Sequence, residues 1–282
     1  MVVGQPAREG VQPALARPHR PRWSPDAAYV YPLATVVLVL LAWEAAARLG
    51  YVPRYLLPAP TGILARGSQL ATFLVRESLV TLQEVLLGFG LSVALGVPLA
   101  IGLVAWPSFQ RAVYPLLVGT QVVPKLAIAP LFLVWFGFGM PSKVLVAFLV
   151  AFFPIVIDSV IGLRSVETAK LYVARAAGAG ELQLFWLVRL PNALPFIFGG
   201  MKVSITLAVV GALVGEFVAA ESGLGRVLLS ANGNMDTELL FAAIFALVII
   251  GVALFLVLEG IERLMLPWHV SQRRESRSDR TL

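Results

Sequence analysis

Six long apolar segments restrict the folds open to this 282-residue chain. A helix that crosses a bilayer needs about 20 mostly apolar residues, and each segment is close to that length. With 59% hydrophobic and 13% charged residues, the chain has too little polar surface to cover a water-soluble fold. We therefore predict an all-α integral membrane protein with about six transmembrane helices, at 29–49, 85–106, 113–135, 144–162, 194–220 and 239–259.

The first and third segments each allow two interpretations. The first is longer than the apolar part of a typical signal peptide, so we interpret it as a retained anchor. The third contains Pro115, Pro124 and Pro130, which predict local breaks in the helix. It is either a kinked structural helix or a broken segment that lines a polar path, as at transporter binding sites.

The distribution of Lys and Arg predicts an orientation. Cytoplasmic loops of membrane proteins carry an excess of these residues. The richer side comprises both termini and the second and fourth connections, with Arg8, Arg17, Arg20, Arg22, Arg111, Arg164, Lys170, Arg175, Arg189, Arg263, Arg273, Arg274, Arg277 and Arg280. The opposite side has Arg54, Arg66, Arg76, Lys143 and Arg226. We predict a multi-pass protein of the cytoplasmic membrane with a cytoplasmic polar tail at 1–28, a membrane domain at 29–262 and a cytoplasmic basic tail at 263–282.

The net charge of +6 follows from this asymmetry. It indicates membrane topology and contact with lipid, and it does not indicate a nucleic-acid partner. The chain has no Cys, and its two histidines, His19 and His269, lie in the polar ends. We therefore predict no metal site and no catalytic residue.

The fourth connection, at 163–193, is too long and too apolar for a simple linker. It predicts two short helices, at about 167–177 and 181–190, separated at Gly178, with Pro191 and Pro195 bracketing the return to the membrane. In the second helix, one apolar stripe consists of Leu182, Phe185, Trp186 and Leu190. This stripe packs either on the protein's own bundle and the membrane surface or on another subunit.

Ionisable residues in or near the spans are costly and often functional. We predict that Asp158 and Glu216 face a pathway or a seam between subunits, and Pro124 and Lys125 are further candidates. For Lys125, Lys202 and Glu44, a partner charge or a position near the interface is an equally good interpretation. Glu216 follows Gly211 and Gly215, a G-x-x-x-G pattern that predicts close helix approach.

The loop spacing resembles the cytoplasmic "EAA" loop of bacterial ABC importer permeases. Gly178 is followed by nine residues, then Val188, one residue, Leu190 and Pro191. The opening triplet departs from the pattern, because Tyr172 and Val173 stand where Glu and the first Ala are expected and only Ala174 fits.

An ordered set of further motifs resembles the nitrate/sulfonate/taurine type of permease. It includes Leu57–Thr61, Thr81–Leu82, Gly88–Phe89, Pro124–Leu131, Trp135–Gly139, Phe153–Ile155 and Leu224–Gly225. Relatives of that type carry sulfonates, nitrate, taurine, thiamine-precursor pyrimidines, riboflavin or aromatic acids.

The resemblance implies a permease subunit that forms the translocation pathway with a second permease subunit, which we expect to be an identical copy. Separate ATPase subunits, which hold ATP and Mg²⁺, would dock on the loop, and an extracytoplasmic binding protein would deliver the solute. The chain itself would bind no cofactor. Ala174, Ala177, Gly178, Leu190 and Pro191 would belong to the docking element, and we expect Phe185 and Trp186 to supply its buried anchors.

Other classes fit the sequence less well. No phosphate-binding G-x-x-x-x-G-K-[ST] motif and no H-E-x-x-H motif occurs in the chain. Neither histidine lies at membrane depth for a serine protease, and Asp158 has no second intramembrane Asp for an aspartyl protease. A secondary transporter or channel that needs no ATPase stays open as the alternative.

Overall fold

Helices make up nearly all of the residues that the structure describes. The computed structural model describes residues 25–50, 53, 55–218 and 221–267, without the side chains of 25–29 and 32. Most of the two predicted tails, with His19 and His269, lies outside the described residues. The helices are α1 (Pro25–Arg48), α2 (Pro60–Gln69), α3 (Ala71–Ala105), α4 (Pro107–Val122), a 3₁₀ turn (Lys125–Ile128), α5 (Ala129–Phe136), α6 (Met140–Arg164), α7 (Thr168–Ala176), α8 (Glu181–Leu184), a π turn (Phe185–Arg189), α9 (Leu190–Val218), α10 (Leu224–Gly233) and α11 (Thr237–Met265).

Four helical segments among the described residues are long and apolar enough to cross a membrane. They are Ala71–Ala105, Met140–Arg164, Glu181–Val218 and Thr237–Met265. A fifth span results if Pro107–Val122 and Lys125–Phe136, which meet at 85°, count as one broken span. These five correspond to the second to sixth predicted segments. The first predicted segment falls in α1, so the count of six stays a prediction.

Helices α3, α6 and α9 form the centre of the bundle. Helix α6 runs antiparallel to α9, because Gly162 packs on Ala193 at one end and Lys143 packs on Gly215 at the other. Between them, Ser204 Oγ donates a 2.7 Å hydrogen bond to the carbonyl of Ala151. Small residues let the two backbones approach closely, as the G-x-x-x-G pattern predicts. This packing fixes the relative position of everything carried on α6 and α9.

At Gly211, α9 packs closely against the backbone of α6. A Cβ atom on Gly211 would lie 2.7 Å from Ala147 Cα, so the backbone of α6 would have to move. We expect Gly211→Ala to lower the free energy of unfolding by about 1–3 kcal/mol in a denaturant titration of the purified protein. Gly90→Ala is the matched control, because a Cβ on Gly90 meets nothing within 4 Å. It should be neutral or stabilising by up to about 1 kcal/mol. Equal effects of both substitutions would contradict this packing argument.

Helices α2 and α10 lie at the end of the bundle where α6 begins. Helix α2 is a short helix that precedes the first of the long central helices, α3. Its Arg66 guanidinium donates to Asp236 Oδ2 at 2.7 Å, which ties α2 to the start of α11. Burial opposes ionisation of Asp236, but hydrogen bonds from Arg66 and the Leu239 N–H outweigh it and lower the pKa of Asp236. The ion pair thus anchors α2 to the bundle.

The second loop helix differs from the prediction. Instead of ending at Pro191, the helical segment runs without interruption from Glu181 to Val218 over 38 residues. Directly before Pro191 the helix widens into a π turn, in which the Leu190 N–H donates to the Phe185 carbonyl. A proline ring conflicts with the carbonyl four residues earlier, and a widened turn relieves that conflict. Pro191 and Pro195 are therefore accommodated inside the helix.

Candidate functional site

The loop at 163–193 folds as two helices joined by a tight glycine turn. Helix α7 ends in a Schellman motif, in which the Gly178 N–H donates to the Arg175 carbonyl and the Ala179 N–H donates to the Ala174 carbonyl. Gly178 has a φ of +86°, a conformation that favours glycine, so the turn predicted at this position is confirmed. A 2.8 Å ion pair between Arg175 and Glu181 connects the two helices.

Five large apolar side chains of the loop are exposed. We call this set the docking face, and it consists of Tyr172, Val173, Leu182, Trp186 and Leu187, with exposures between 58% for Trp186 and 74% for Leu187. Tyr172 and Val173, which depart from the family pattern, are thus part of the exposed surface. Such a surface on a short helical pair is costly to leave in water.

The predicted apolar stripe is divided between two surroundings. Leu182 and Trp186 belong to the docking face, whereas Phe185 and Leu190 pack against the chain's own core beside Leu163. Phe185 is therefore a structural residue of this chain and not an exposed anchor, because it lies about 100° around the helix from Trp186 and packs against the bundle. Leu184, which the stripe does not include, is 1% exposed. Of the other predicted docking residues, Ala177 and Gly178 are exposed, while Ala174 and Pro191 are half-buried.

Pro124 and Lys125 lie where the broken span bends by 85°. Pro124 is exposed, and Lys125 is half-buried with its ammonium 5.6 Å from the ring centre of Phe153. Phe153 lies near the middle of α6, so Lys125 lies near the middle of the bundle. Among the described residues Lys125 makes no ion pair. Asp158 is half-buried where α6 approaches Gly200. These residues remain candidates for a pathway.

The other charged residues that the sequence places in or near the spans, Lys202 and Glu44, have partners within the chain. Lys202 pairs with Glu262, and Glu44 accepts hydrogen bonds from Arg48 and Thr61. This agrees with the interpretation of Lys202 and Glu44 as paired charges.

Glu216 is fully buried inside this chain, so it faces neither a pathway nor a seam between subunits. The prediction for Glu216 is therefore wrong, because hydropathy and spacing do not reveal which face of α9 meets α3 and α10. Glu216 Oε1 accepts a 2.5 Å hydrogen bond from Thr81, and Oε2 accepts one from the Gly225 N–H. Glu216 thus joins a set of buried polar residues that we call the buried cluster: Glu77, Thr81, Glu84, Lys143 and Glu216.

Lys143 and Glu84 are the parts of the buried cluster that the sequence interpretation missed. Lys143, which we assigned to an exposed connection, is 2% exposed in the first turn of α6. Its ammonium donates to Glu84 Oε1 at 2.9 Å and to the Ser222 carbonyl at 3.0 Å. One signal was available: Glu77, Thr81 and Glu84 follow a spacing of four and three residues, which puts them on one helix face. The second predicted span began only at residue 85, so this face was not considered.

The buried cluster holds the start of α10. Helix α10 begins after Gly223 without a side-chain cap of its own. Instead, the Gly223 N–H donates to Glu77 at 2.6 Å, the Leu224 N–H donates to Thr81 at 2.9 Å, and the Gly225 N–H donates to Glu216. The first N–H groups of a helix carry partial positive charge, which carboxylates stabilise. The cluster thereby joins α3, α6, α9 and α10.

Comparison with known proteins assigns this architecture. A family model described as "Binding-protein-dependent transport system inner membrane component" matches residues 92–268. The chain belongs to this family. This permease is 38% identical to the riboflavin transport system permease protein RibX of Chloroflexus aurantiacus, over 84% of this chain and 89% of that relative.

Two further relatives have different named substrates. The formylaminopyrimidine transport permease protein ThiX of Halalkalibacterium halodurans is 37% identical, over 84% of this permease and 94% of the relative. The taurine transport system permease protein TauC of Escherichia coli is 29% identical, over 88% and 93% of the two chains. The resemblance to ABC importer permeases of the nitrate/sulfonate/taurine type is confirmed.

A solved structure supports the fold. A chain of the MetNI methionine ABC transporter in an inward-facing conformation matches with a TM-score of 0.60 and 21% identity, over 70% of this permease and 97% of that chain. Identity at this level shows the fold alone. Taken with the family match, it identifies an all-α transmembrane permease subunit of an ABC importer, a transport protein with several membrane-spanning helices.

Proposed function

We propose that separate ATPase subunits drive this permease by binding the docking face. The observation that carries the proposal is the exposure of five large apolar residues on two short helices between spans. Aromatic residues are frequent energetic anchors at protein interfaces, and Trp186 is 58% exposed in the unpartnered chain. The ATP and Mg²⁺ would be held by the partner, because no phosphate-binding motif occurs in this sequence.

A second copy of the permease completes the pathway in this proposal. The broken span leaves large apolar side chains exposed on one side of the chain, among them Val122 and Val134. Pairing of two such surfaces around the bend at Pro124 would enclose a path lined by Lys125 and Asp158. Lipid would cover the remaining apolar surface of the bundle.

The orientation follows from the positive residues. We propose the cytoplasmic membrane as the location, with both termini and the docking face in the cytoplasm and α10 outside. The chain contains no cysteine, so single-cysteine variants report topology directly. Leu229→Cys on α10 should react with a membrane-impermeant maleimide in intact cells, whereas Lys170→Cys on α7 should react only after permeabilisation. The reverse labelling pattern would contradict the orientation.

The solute is a small compound of the sulfonate, nitrate, taurine, thiamine-precursor pyrimidine or riboflavin-like classes, delivered by an extracytoplasmic binding protein. The named substrates of the relatives support this range. The ammonium of Lys125, which has no ion-pair partner in the part of the chain that the structure describes, would provide an attractive contact for an acidic or electron-rich group on such a solute.

Uptake into proteoliposomes tests the proposal. The permease, reconstituted with its ATPase and binding proteins, should accumulate a solute of these classes only when all three proteins and ATP are present. An ATP analogue that cannot be hydrolysed is the control. Uptake by the permease alone would establish the secondary transporter or channel and overturn the proposal.

A further inference from the structure

The buried cluster contains more acidic groups than its surroundings can neutralise. Glu77, Glu84 and Glu216 would together carry three negative charges if all were ionised, and Lys143 is the one cation in the cluster. Glu84 and Glu216 are fully buried, and Glu77 and Lys143 are 5% and 2% exposed. An uncompensated buried charge costs several kcal/mol, and such a group takes up a proton instead.

The surrounding contacts show which carboxylates are compensated. Glu77 accepts from the Gly223 N–H at 2.6 Å, at the positive end of α10. Glu84 Oε1 accepts from Lys143, and Glu216 accepts from Thr81 and the Gly225 N–H. From α10 only backbone N–H groups face the cluster. One Lys and one helix terminus, which carries roughly +0.5 charge, therefore face three carboxylates, and this leaves an excess of between about one and two negative charges.

The surroundings of Glu84 Oε2 indicate where this excess negative charge lies. Among the described residues, this oxygen is buried and has no hydrogen-bond partner. Glu84 lies one helical turn from Thr81 on the same face of α3, and Thr81 donates to Glu216, so the carboxyl groups of Glu84 and Glu216 lie side by side. Two carboxylates cannot hydrogen-bond, because neither has a hydrogen to donate, whereas a carboxylic acid and a carboxylate can. A single proton on the pair would remove most of the excess charge and give the orphan oxygen a partner.

We propose that Glu84 and Glu216 form a proton-binding site in which the two carboxyl groups share one proton, and that this proton fastens α10 to the bundle. Two carboxyl groups held close together do not both ionise, because their negative charges would repel each other, so such a pair retains one proton. Glu216 also accepts from the Gly225 N–H, so a bond to Glu84 would keep Glu216 in position at the start of α10. The inference goes beyond the proposed function and does not depend on the docking face.

The sign of the pH effect follows from the proton count. The fastened cluster binds one proton more than the opened cluster, in which water solvates both carboxylates. The attachment of α10 is therefore most stable at low pH. The equilibrium constant for the attached state falls by up to tenfold per pH unit as rising pH removes the proton. The charged groups that set the range are Glu77 on α3 and Lys143 on α6.

Infrared difference spectroscopy of the full-length permease in proteoliposomes tests the site, because a protonated carboxyl group has a carbonyl stretching band distinct from that of a carboxylate. We expect an alkaline-minus-neutral difference spectrum to show loss of one such band. Both Glu84→Gln and Glu216→Gln should abolish the band, since either change leaves a single compensated carboxylate. Asp158→Asn is the matched control and should retain it, whereas Glu77→Gln removes one negative charge from the cluster and should move the loss of the band to lower pH. A band that persists in both pair variants, or that vanishes in Asp158→Asn, would overturn the proposal.

Hydrogen exchange tests the attachment of α10 independently. Protection of the Gly223–Gly225 amides, corrected for the intrinsic pH dependence of exchange, should fall with rising pH by up to tenfold per unit. In Glu84→Gln, whose amide can donate to Glu216 at any pH and accept from Lys143, the corrected protection should not vary with pH. Wild-type protection that does not change over the pH range in which the band disappears would refute the role of the proton in holding α10.

Discussion

Replacing Leu182 and Trp186 with alanine should release the ATPase subunits and abolish ATP-driven uptake. Both side chains are exposed on the same helix, at 73% and 58%, and support no core of this chain. A buried aromatic or large apolar anchor contributes about 2 kcal/mol or more to an interface. Loss of two anchors, about 4 kcal/mol, weakens binding roughly a thousandfold. The measurement is the amount of ATPase that co-purifies with tagged permease at equal membrane abundance.

Two other variants separate docking from folding. Leu229 and Met235 are exposed apolar residues outside the loop, so Leu229→Ala with Met235→Ala should leave the co-purified ATPase unchanged. Phe185→Ala removes a ring that packs against the chain's own core. It should lower the unfolding free energy by about 3 kcal/mol. If Leu182→Ala with Trp186→Ala retained the ATPase and uptake, the docking face would have another role.

Lys143→Met should destabilise the permease more than any other single change at its end of the bundle. Lys143 is the one cation among the described residues that contacts Glu84, and both side chains are buried. Removing one partner of a buried ion pair leaves the other charge uncompensated, at a cost of about 3–5 kcal/mol. Denaturant or thermal unfolding in detergent, together with membrane abundance, measures the effect.

A second substitution should rescue much of this loss. In Lys143→Met with Glu84→Gln, no unpaired charge remains at the position of Glu84, so the coupling energy between the two changes should be large and favourable. Lys170→Met is the matched control, because Lys170 is exposed in α7 and should change stability by less than about 0.5 kcal/mol. Additive losses in the double variant would show that Glu84 and Lys143 do not interact.

The sequence predicted the fold class, local breaks in the third span and the glycine turn of the loop, because each depends on local chemistry. Apolar length determines which segments enter a bilayer, proline removes a backbone donor, and Gly178 adopts a backbone conformation that other residues avoid. The ordered motifs identified the family for the same reason, since they can be recognised without knowing which residues touch.

The direction in which each side chain faces, and the residue with which it pairs, could not be predicted in the same way. Phe185 and Trp186 are adjacent and chemically alike, yet Phe185 packs against the bundle and Trp186 is exposed, a difference that spacing alone does not reveal. Lys143 lies six residues after Gly137, so the sequence alone indicates a loop residue. Its partner Glu84 lies on α3, 59 positions away in the sequence. The sequence alone indicates that Glu216 is a pathway residue, whereas in the structure it is buried and accepts hydrogen bonds from Thr81 and Gly225. These contacts depend on tertiary packing, which hydropathy alone does not contain.

The unbroken helix from Glu181 to Val218 has a mechanical consequence. At 1.5 Å per residue its 38 residues extend roughly 57 Å, and Trp186 and Glu216 lie roughly 45 Å apart along it. A tilt of the whole segment by about 5° displaces its far tip by about 5 Å. No loop separates the two ends of this described segment, so a force on the docking face at one membrane surface can displace the residues around Glu216 near the other.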